Sequence, residues 1–151
     1  MANPTDQACD IYNVWHLKLK PNPNIDGVLS VLFETRIKKV KEYYTGKKVD
    51  FKDCQLNLDN YTNFQKKVLQ IVKEIPYGEI RSYKEAAGAA GYSRAYRAVG
   101  NTMRNNPLPL IIPCHRVIKT DGSLGGFSGK EGVALKRKMI DLESKAKQGI
   151  V

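Results

Sequence analysis

Cysteine is scarce in this chain: three in 151 residues, too few for a disulfide framework. A domain of this length needs none, so a reducing, cytoplasmic setting is expected. Long apolar runs are also missing. The longest falls far short of the roughly 18 residues that a membrane span requires, so no membrane partner is expected. No apolar h-region follows Met1, and no secretory leader is expected. Metal-ligand spacing is lacking as well. Cys9, His16, Cys54, Cys114 and His115 form neither CxxC nor HxxxH. Neither a metal nor another cofactor is expected. Internal repeats and low-complexity tracts are absent.

Acidic residues are few in one half only. Residues 1–60 carry 9 basic and 8 acidic groups, whereas residues 61–151 carry 16 and 7. A nearly neutral half beside a strongly basic one points to a polyanion partner for the basic half, and nucleic acid is the commonest. A solvated basic surface is the plainer explanation. With 42% hydrophobic and 26% charged residues the chain can bury a core.

The spacing predicts strands over Ile11–Lys20 and Val28–Phe33, separated by the turn cluster Pro21-Asn22-Pro23-Asn24. A helix is predicted over Glu34–Thr45, stopped by Gly46. Residues 47–61 read as a linker. We therefore expect an α+β domain over 1–60 and a second domain over 61–151. In the second, Asn63 is expected to cap a helix ending near Glu74. Ile75-Pro76-Tyr77-Gly78 forces a turn. Ser82 and Glu85 have the capping-box spacing and open an Ala-rich helix to about Ala90. Ser93 is expected to cap a further helix to Arg104. These two helices around Gly91 are a candidate helix-turn-helix, and the second carries Arg94, Arg97 and Arg104. An ordinary helical hairpin is the competing explanation. Leu110-Ile111-Ile112 suits a buried extended segment. Glu131–Ser144 reads as a final amphipathic helix whose apolar positions are Val133, Leu135, Met139, Ile140 and Leu142.

Cys114-His115 is the pair with chemical promise. A thiolate is the strongest side-chain nucleophile, but an ordinary cysteine is only a few per cent ionised at neutral pH. A nearby histidine can take its proton, directly in a tight turn or through water. The histidine then needs an orienting carboxylate. Glu74, Glu79, Glu85, Asp121, Glu131, Asp141 and Glu143 all qualify by composition. The competing reading is a small buried hydrophobe beside an interior histidine. Pro113 before the pair and the Gly-rich segment 125–129 after it favour a sharply turned nucleophile beside backbone that a ligand can approach.

Ile112-Pro113-Cys114-His115-Arg116-Val117 resembles the P-C-H-R-V motif of the O6-alkylguanine-DNA alkyltransferases (methylated-DNA--protein-cysteine methyltransferases). Ile75-Pro76-Tyr77-Gly78-Glu79 with Ser82-Tyr83 resembles that family's I-P-x-G-x…(S/T)-Y segment. Arg97-Ala98-Val99-Gly100 resembles R-A-V-G, Asn106-Pro107-Leu108-Pro109 resembles N-P-x-P, and Gly125-Gly126-Phe127-Ser128-Gly129 resembles G-G-Y-S-G. The ordered motifs cover about residues 63–145.

The resemblance implies an RNase H-like N-terminal domain packed on a mostly helical, winged-helix-like C-terminal domain. It implies a monomer that binds the minor groove of double-stranded DNA containing alkylated guanine. The alkyl group passes irreversibly to Cys114, with O4-alkylthymine as a further candidate substrate. His115 is implied as the base acting through water, Glu143 as its orienting carboxylate, Asn106 as the hinge and Tyr83 as donor to the leaving guanine. Arg97 is implied as the finger that replaces the flipped base, with Tyr83, Ser93, Ala98 and Gly100 also at the DNA. Met103, Pro109, Val117, Phe127 and Ser128 are implied as the base pocket. Phe127 departs from the usual Tyr, and Tyr96 stands where small residues or Pro are common. A lesion-binding module without chemistry and a turning-over cysteine hydrolase are the competing functions.

Overall fold

The computed structural model describes residues 37–54, 56, 58–106, 108–126 and 132–150. The strands expected over 11–20 and 28–33, and the residues Pro107, Phe127 and Ser128, lie outside that set. The chain divides into two compact units, residues 1–49 and 50–150.

In the first unit α1 covers residues 37–44. It ends where Gly46 takes a φ of 86°, a left-handed turn that a side chain would oppose. Val40, Tyr43, Tyr44 and Val49 are buried.

The second unit holds α2 (Asn63–Lys73), β1 (Arg81–Ser82), α3 (Tyr83–Ala89), α4 (Tyr96–Arg104), β2 (Val117–Ile118) and α5 (Gly132–Lys147). It is a mixed, mainly helical unit with one small sheet. Residues 50–54, 56 and 58–62 join it without regular structure, burying Phe51, Cys54 and Leu58.

Helix α2 is capped by Thr62, not Asn63. The Thr62 hydroxyl accepts from the Gln65 N–H, and the Gln65 side chain accepts from the Thr62 N–H. The Ser82–Glu85 box forms as its spacing requires. Ser93 caps nothing: α4 starts three residues later, at Tyr96, behind Ala95 and with no side-chain cap. A turn closed by the Ala95 N–H on the Tyr92 carbonyl occupies the space before it.

One core unites α2, α3 and α4. Val68, Leu69 and Val72 meet Ala86, Ala87, Val99 and Met103, and the cluster continues to Ile112, Cys114 and Val117. The small side chains of α3 permit close helix approach. Strands β1 and β2 pair in parallel, Arg81 opposite Val117 and Ser82 opposite Ile118. That pairing brings the start of α3, Tyr83, beside the segment that carries Cys114.

Residues 110–112 are not extended. Leu110 has a φ of 75°, and the Ile112 N–H returns to the Leu108 carbonyl at 2.9 Å. The segment is a tight turn with Leu110, Ile111 and Ile112 all buried. A left-handed leucine costs on the order of 1 kcal/mol or more, so local preference alone would not choose it. Asn106 supplies the restraint. Its Nδ2 donates to the Ile112 carbonyl at 2.7 Å, and its Oδ1 accepts from the Leu108 N–H at 3.0 Å.

The final helix buries Met139 and half-buries Leu135, Ile140 and Leu142 as its apolar pattern predicts, but charged residues share the inward face. Gly132, Lys136, Met139 and Glu143 are buried, whereas Val133 is 51% exposed. Two charged residues face inward because they have partners there, described below. Among the described residues no helix is long and apolar enough to cross a membrane.

Candidate active site

Cys114 opens a single 3-10 turn, Cys114–Arg116, that leads into β2. Its thiol is buried, and burial pushes the thiol pKa up. The Asn106 side chain, the charge of Lys136 and the backbone N–H groups of Cys114 and His115 oppose that rise. The net result is a neutral thiol at rest, surrounded by the groups that would stabilise a thiolate.

His115 is fully buried, with its Nε2 2.6 Å from Glu143 Oε1. Burial lowers the His115 pKa against the raising influence of Glu143, and Arg116 and Lys136 lower it further. A neutral imidazole that donates Nε2–H to Glu143 keeps its basic lone pair on Nδ1. Seven carboxylates qualified by composition and the family resemblance implied Glu143; the structure places Glu143 on this histidine.

Burial by itself would raise the Glu143 carboxyl. The hydrogen bonds and charges of His115 and Arg116 outweigh it and hold the group well below the usual carboxylate range. Arg116 Nε donates to Oε2 at 2.9 Å and Nη2 to Oε1 at 2.9 Å, a fork on the carboxylate. The Gly78 N–H also donates to Oε2 at 2.9 Å.

Tyr83 and Lys136 form a second group. Lys136 is 0% exposed, and its Nζ donates to the Val117 carbonyl and to Tyr83 Oη. Burial lowers its pKa to about 8, against the raising effect of Cys114. The Tyr83 pKa is raised, first by burial and then by Cys114, while Arg104 lowers it. Tyr83 is therefore a protonated donor at neutral pH. Gly125, at a φ of 72°, lies against the Tyr83 ring: a Cβ there would stand 3.0 Å from its hydroxyl.

Tyr83 also lines a cleft of about 370 Å³ with Tyr96, Arg97, Gly100, Arg104 and Lys119. Arg97 and Ala98 are exposed on α4, and Ser93 is exposed in the turn before it. Gly100 faces Tyr83; a Cβ there would lie 3.9 Å from the ring. Tyr96 is 46% exposed, and the Arg97 guanidinium sits 5.9 Å from its ring centre. Met103 and Val117 are buried in the core cluster beside Cys114, and Pro109 pairs with Ile112. The structure thus gathers Cys114, His115, Glu143, Tyr83 and Asn106 around one turn. Arg97 and Gly100 line the cleft beside it.

Sequence reasoning missed Lys136 and Arg116. Lys136 falls on a helix among nearby basic residues, and nothing in its spacing distinguishes it from Arg137 or Lys138. Arg116 was visible inside P-C-H-R-V, but its partner lies 27 residues away.

Residues 63–145 match the family model described as "6-O-methylguanine DNA methyltransferase, DNA binding domain". A methylated-DNA--protein-cysteine methyltransferase of Methanosarcina barkeri is 44% identical over 111 residues, which is 74% of this chain and 68% of that protein. The constitutive one of Bacillus subtilis is 40% identical over 106 residues, 70% of this chain and 62% of that protein. The crystal structure of Mycobacterium tuberculosis OGT in complex with DNA superimposes with a TM-score of 0.69 and 37% identity. That match covers 76% of this chain and 68% of the other. The chain belongs to the O6-methylguanine DNA methyltransferase family, the methylated-DNA--protein-cysteine methyltransferases.

Proposed function

We propose that this chain reverses alkylation damage in DNA by moving the alkyl group from guanine O6 onto Cys114 Sγ, once per molecule. The observation that carries the proposal is the buried Cys114 thiol next to a His115 held at 2.6 Å by Glu143. The reaction begins when His115 Nδ1 takes the thiol proton through water. The thiolate attacks the alkyl carbon in line. The carbon–oxygen bond breaks as the carbon–sulfur bond forms, and the electron pair leaves on the guanine. Tyr83 donates a proton to that guanine, and Lys136 donates in turn to Tyr83 Oη. The thioether has no easy route back to a thiol, so the protein is consumed. O4-alkylthymine presents a similar alkyl–oxygen bond and is the second substrate to try.

A stacked base cannot reach a thiol this deeply buried, so the nucleotide must leave the duplex. In this reading α4 enters the minor groove of double-stranded DNA, Arg97 fills the vacated stack, and Ser93, Ala98 and Gly100 allow close approach. Met103, Pro109, Val117, Phe127 and Ser128 line the base pocket. The reading assigns an RNase H-like fold to residues 1–60 and a winged-helix-like, DNA-binding and alkyl-accepting role to 61–151. It takes the protein as a cytoplasmic monomer needing no cofactor.

The test is an intact mass after mixing with duplex DNA holding one O6-methylguanine, followed by peptide mapping. One added methylene per protein, on the Cys114 peptide, is expected. Repeated turnover or an unchanged mass overturns the proposal.

Two further results are expected. Arg97→Ala slows transfer from duplex DNA about 100-fold, the equivalent of a few kcal/mol of lost stacking replacement. Its reaction with free O6-alkylguanine base stays within about threefold of wild type. Equal losses on both substrates contradict a finger role. On undamaged DNA, where no base is flipped and Arg97 has no stack to fill, Arg97, Arg104 and Lys119 on the cleft supply about three phosphate contacts. Affinity for undamaged duplex then falls roughly 40-fold between 50 and 200 mM salt. A flat salt response contradicts the basic-face reading.

A further inference from the structure

The turn Ile75-Pro76-Tyr77-Gly78 has no chemical part in the reaction above, yet the structure ties it to the reacting groups three times. The Ile75 carbonyl accepts from Arg116 Nη1 at 2.7 Å. The Tyr77 ring lies under the Arg116 guanidinium, 5.6 Å away. The Gly78 N–H donates to Glu143 Oε2 at 2.9 Å. Gly78 has a φ of 77°, the conformation that aims this N–H, and a Cβ there would come within 3.2 Å of Lys147.

We infer that this turn and Arg116 form the positioning device of the reaction: they present Glu143 Oε1 to His115 and share the carboxylate charge, so that His115 stays available as a base. The inference rests on the alkyl-transfer reading. The two oxygens of Glu143 are divided between tasks. Oε2 is anchored by Gly78 and Arg116 Nε, while Oε1 receives Arg116 Nη2 and His115. Rotation of the carboxylate would break the fork and the Gly78 contact together, so Oε1 is held toward the imidazole.

Among the described residues, the titratable groups that face the His115–Glu143 pair include Arg116, Lys136, Cys114 and Tyr77. A lone carboxylate against His115 would favour the imidazolium, which cannot accept a proton from Cys114. Arg116 takes part of the carboxylate's charge and adds its own positive charge nearby. Both effects keep the imidazole neutral. Removing Arg116 should therefore extend the acid-side loss of activity to higher pH.

The test is the single-turnover rate of methyl transfer from duplex O6-methylguanine DNA between pH 5.5 and 9.5, read by intact mass. Wild type is the control for the transfer reading, and its failure to gain a methylene would sink that reading, not this inference. For Arg116→Met the acid limb is expected to move up by about one pH unit. The loss approaches tenfold only on the acid side of both limbs, shrinks as pH rises through them, and is within about threefold at pH 9. Arg116→Lys keeps the charge and loses the fork. Its limb stays in place while its plateau drops about three- to tenfold. A pH-independent loss in Arg116→Met, with the limb where wild type has it, overturns the charge-sharing role. If Arg116→Met does not fold, Arg116→Lys decides: a plateau equal to wild type overturns the inference, and a lowered one with an unmoved limb supports it.

Discussion

Cys114→Ser gains no mass from duplex DNA holding O6-methylguanine, while it binds that DNA within about twofold of the wild-type affinity. The loss of transfer is expected to exceed about 10⁴-fold, because a serine hydroxyl is far less acidic and far less nucleophilic than a thiol. In the proposed reaction His115 takes a proton from a thiol, and a neutral imidazole gains little against a hydroxyl. Binding survives because Cys114 is buried in the core cluster and adds no charge to the cleft of Arg97, Arg104 and Lys119. Intact mass reads the first half and a fluorescence titration the second. A methylated Cys114→Ser protein would place the acceptor elsewhere. A variant that also loses DNA binding would mean that the turn at 114–116 shapes the DNA face.

The second large effect is on stability. Glu143→Ala leaves the Arg116 guanidinium buried without its carboxylate, and breaking a buried pair from one side costs about 3–5 kcal/mol. For a chain of this size that lowers the melting temperature by roughly 10 °C. The pH dependence separates this from a packing defect. Glu143 has a folded pKa of about 2, below its ordinary value of 4.5. Its stabilisation is therefore complete above about pH 4.5 and is lost as pH falls toward 2. Urea unfolding of both proteins is expected to show a wide gap at pH 7 that narrows across that window. A gap that stays constant from pH 7 to pH 2 would assign the loss to packing alone.

Much of the second unit could be read along the chain because its signals are local. The Ser82–Glu85 box is satisfied within four residues, and Gly78 and Gly91 take the left-handed conformations that their turns demand. Thr62 displaced Asn63 as cap because only Thr62 has Gln65 at the reciprocal spacing. Ser93 failed as a cap because the Tyr92–Ala95 turn pushed the helix start past it. Lys136 and Glu143, on the inward face of α5, escaped the apolar pattern for a stronger reason. Apolar periodicity assumes that charge faces water, whereas Lys136 and Glu143 are turned inward by partners in other elements.

The sequence by itself determined the helices of the second unit, the turn at 75–78, the pairing of a cysteine with a histidine and the basic character of one half. Each follows from neighbours a few residues apart or from composition. Neighbouring residues left the carboxylate for His115 open, and Glu143 came only from the family resemblance; the folded contacts alone show that Arg116 and Gly78 hold that carboxylate and that Lys136 lies beside Tyr83. These contacts join residues separated by 27 to 65 positions. Their energy depends on burial and distance, which a linear chain does not carry until α5 packs against the Cys114 turn.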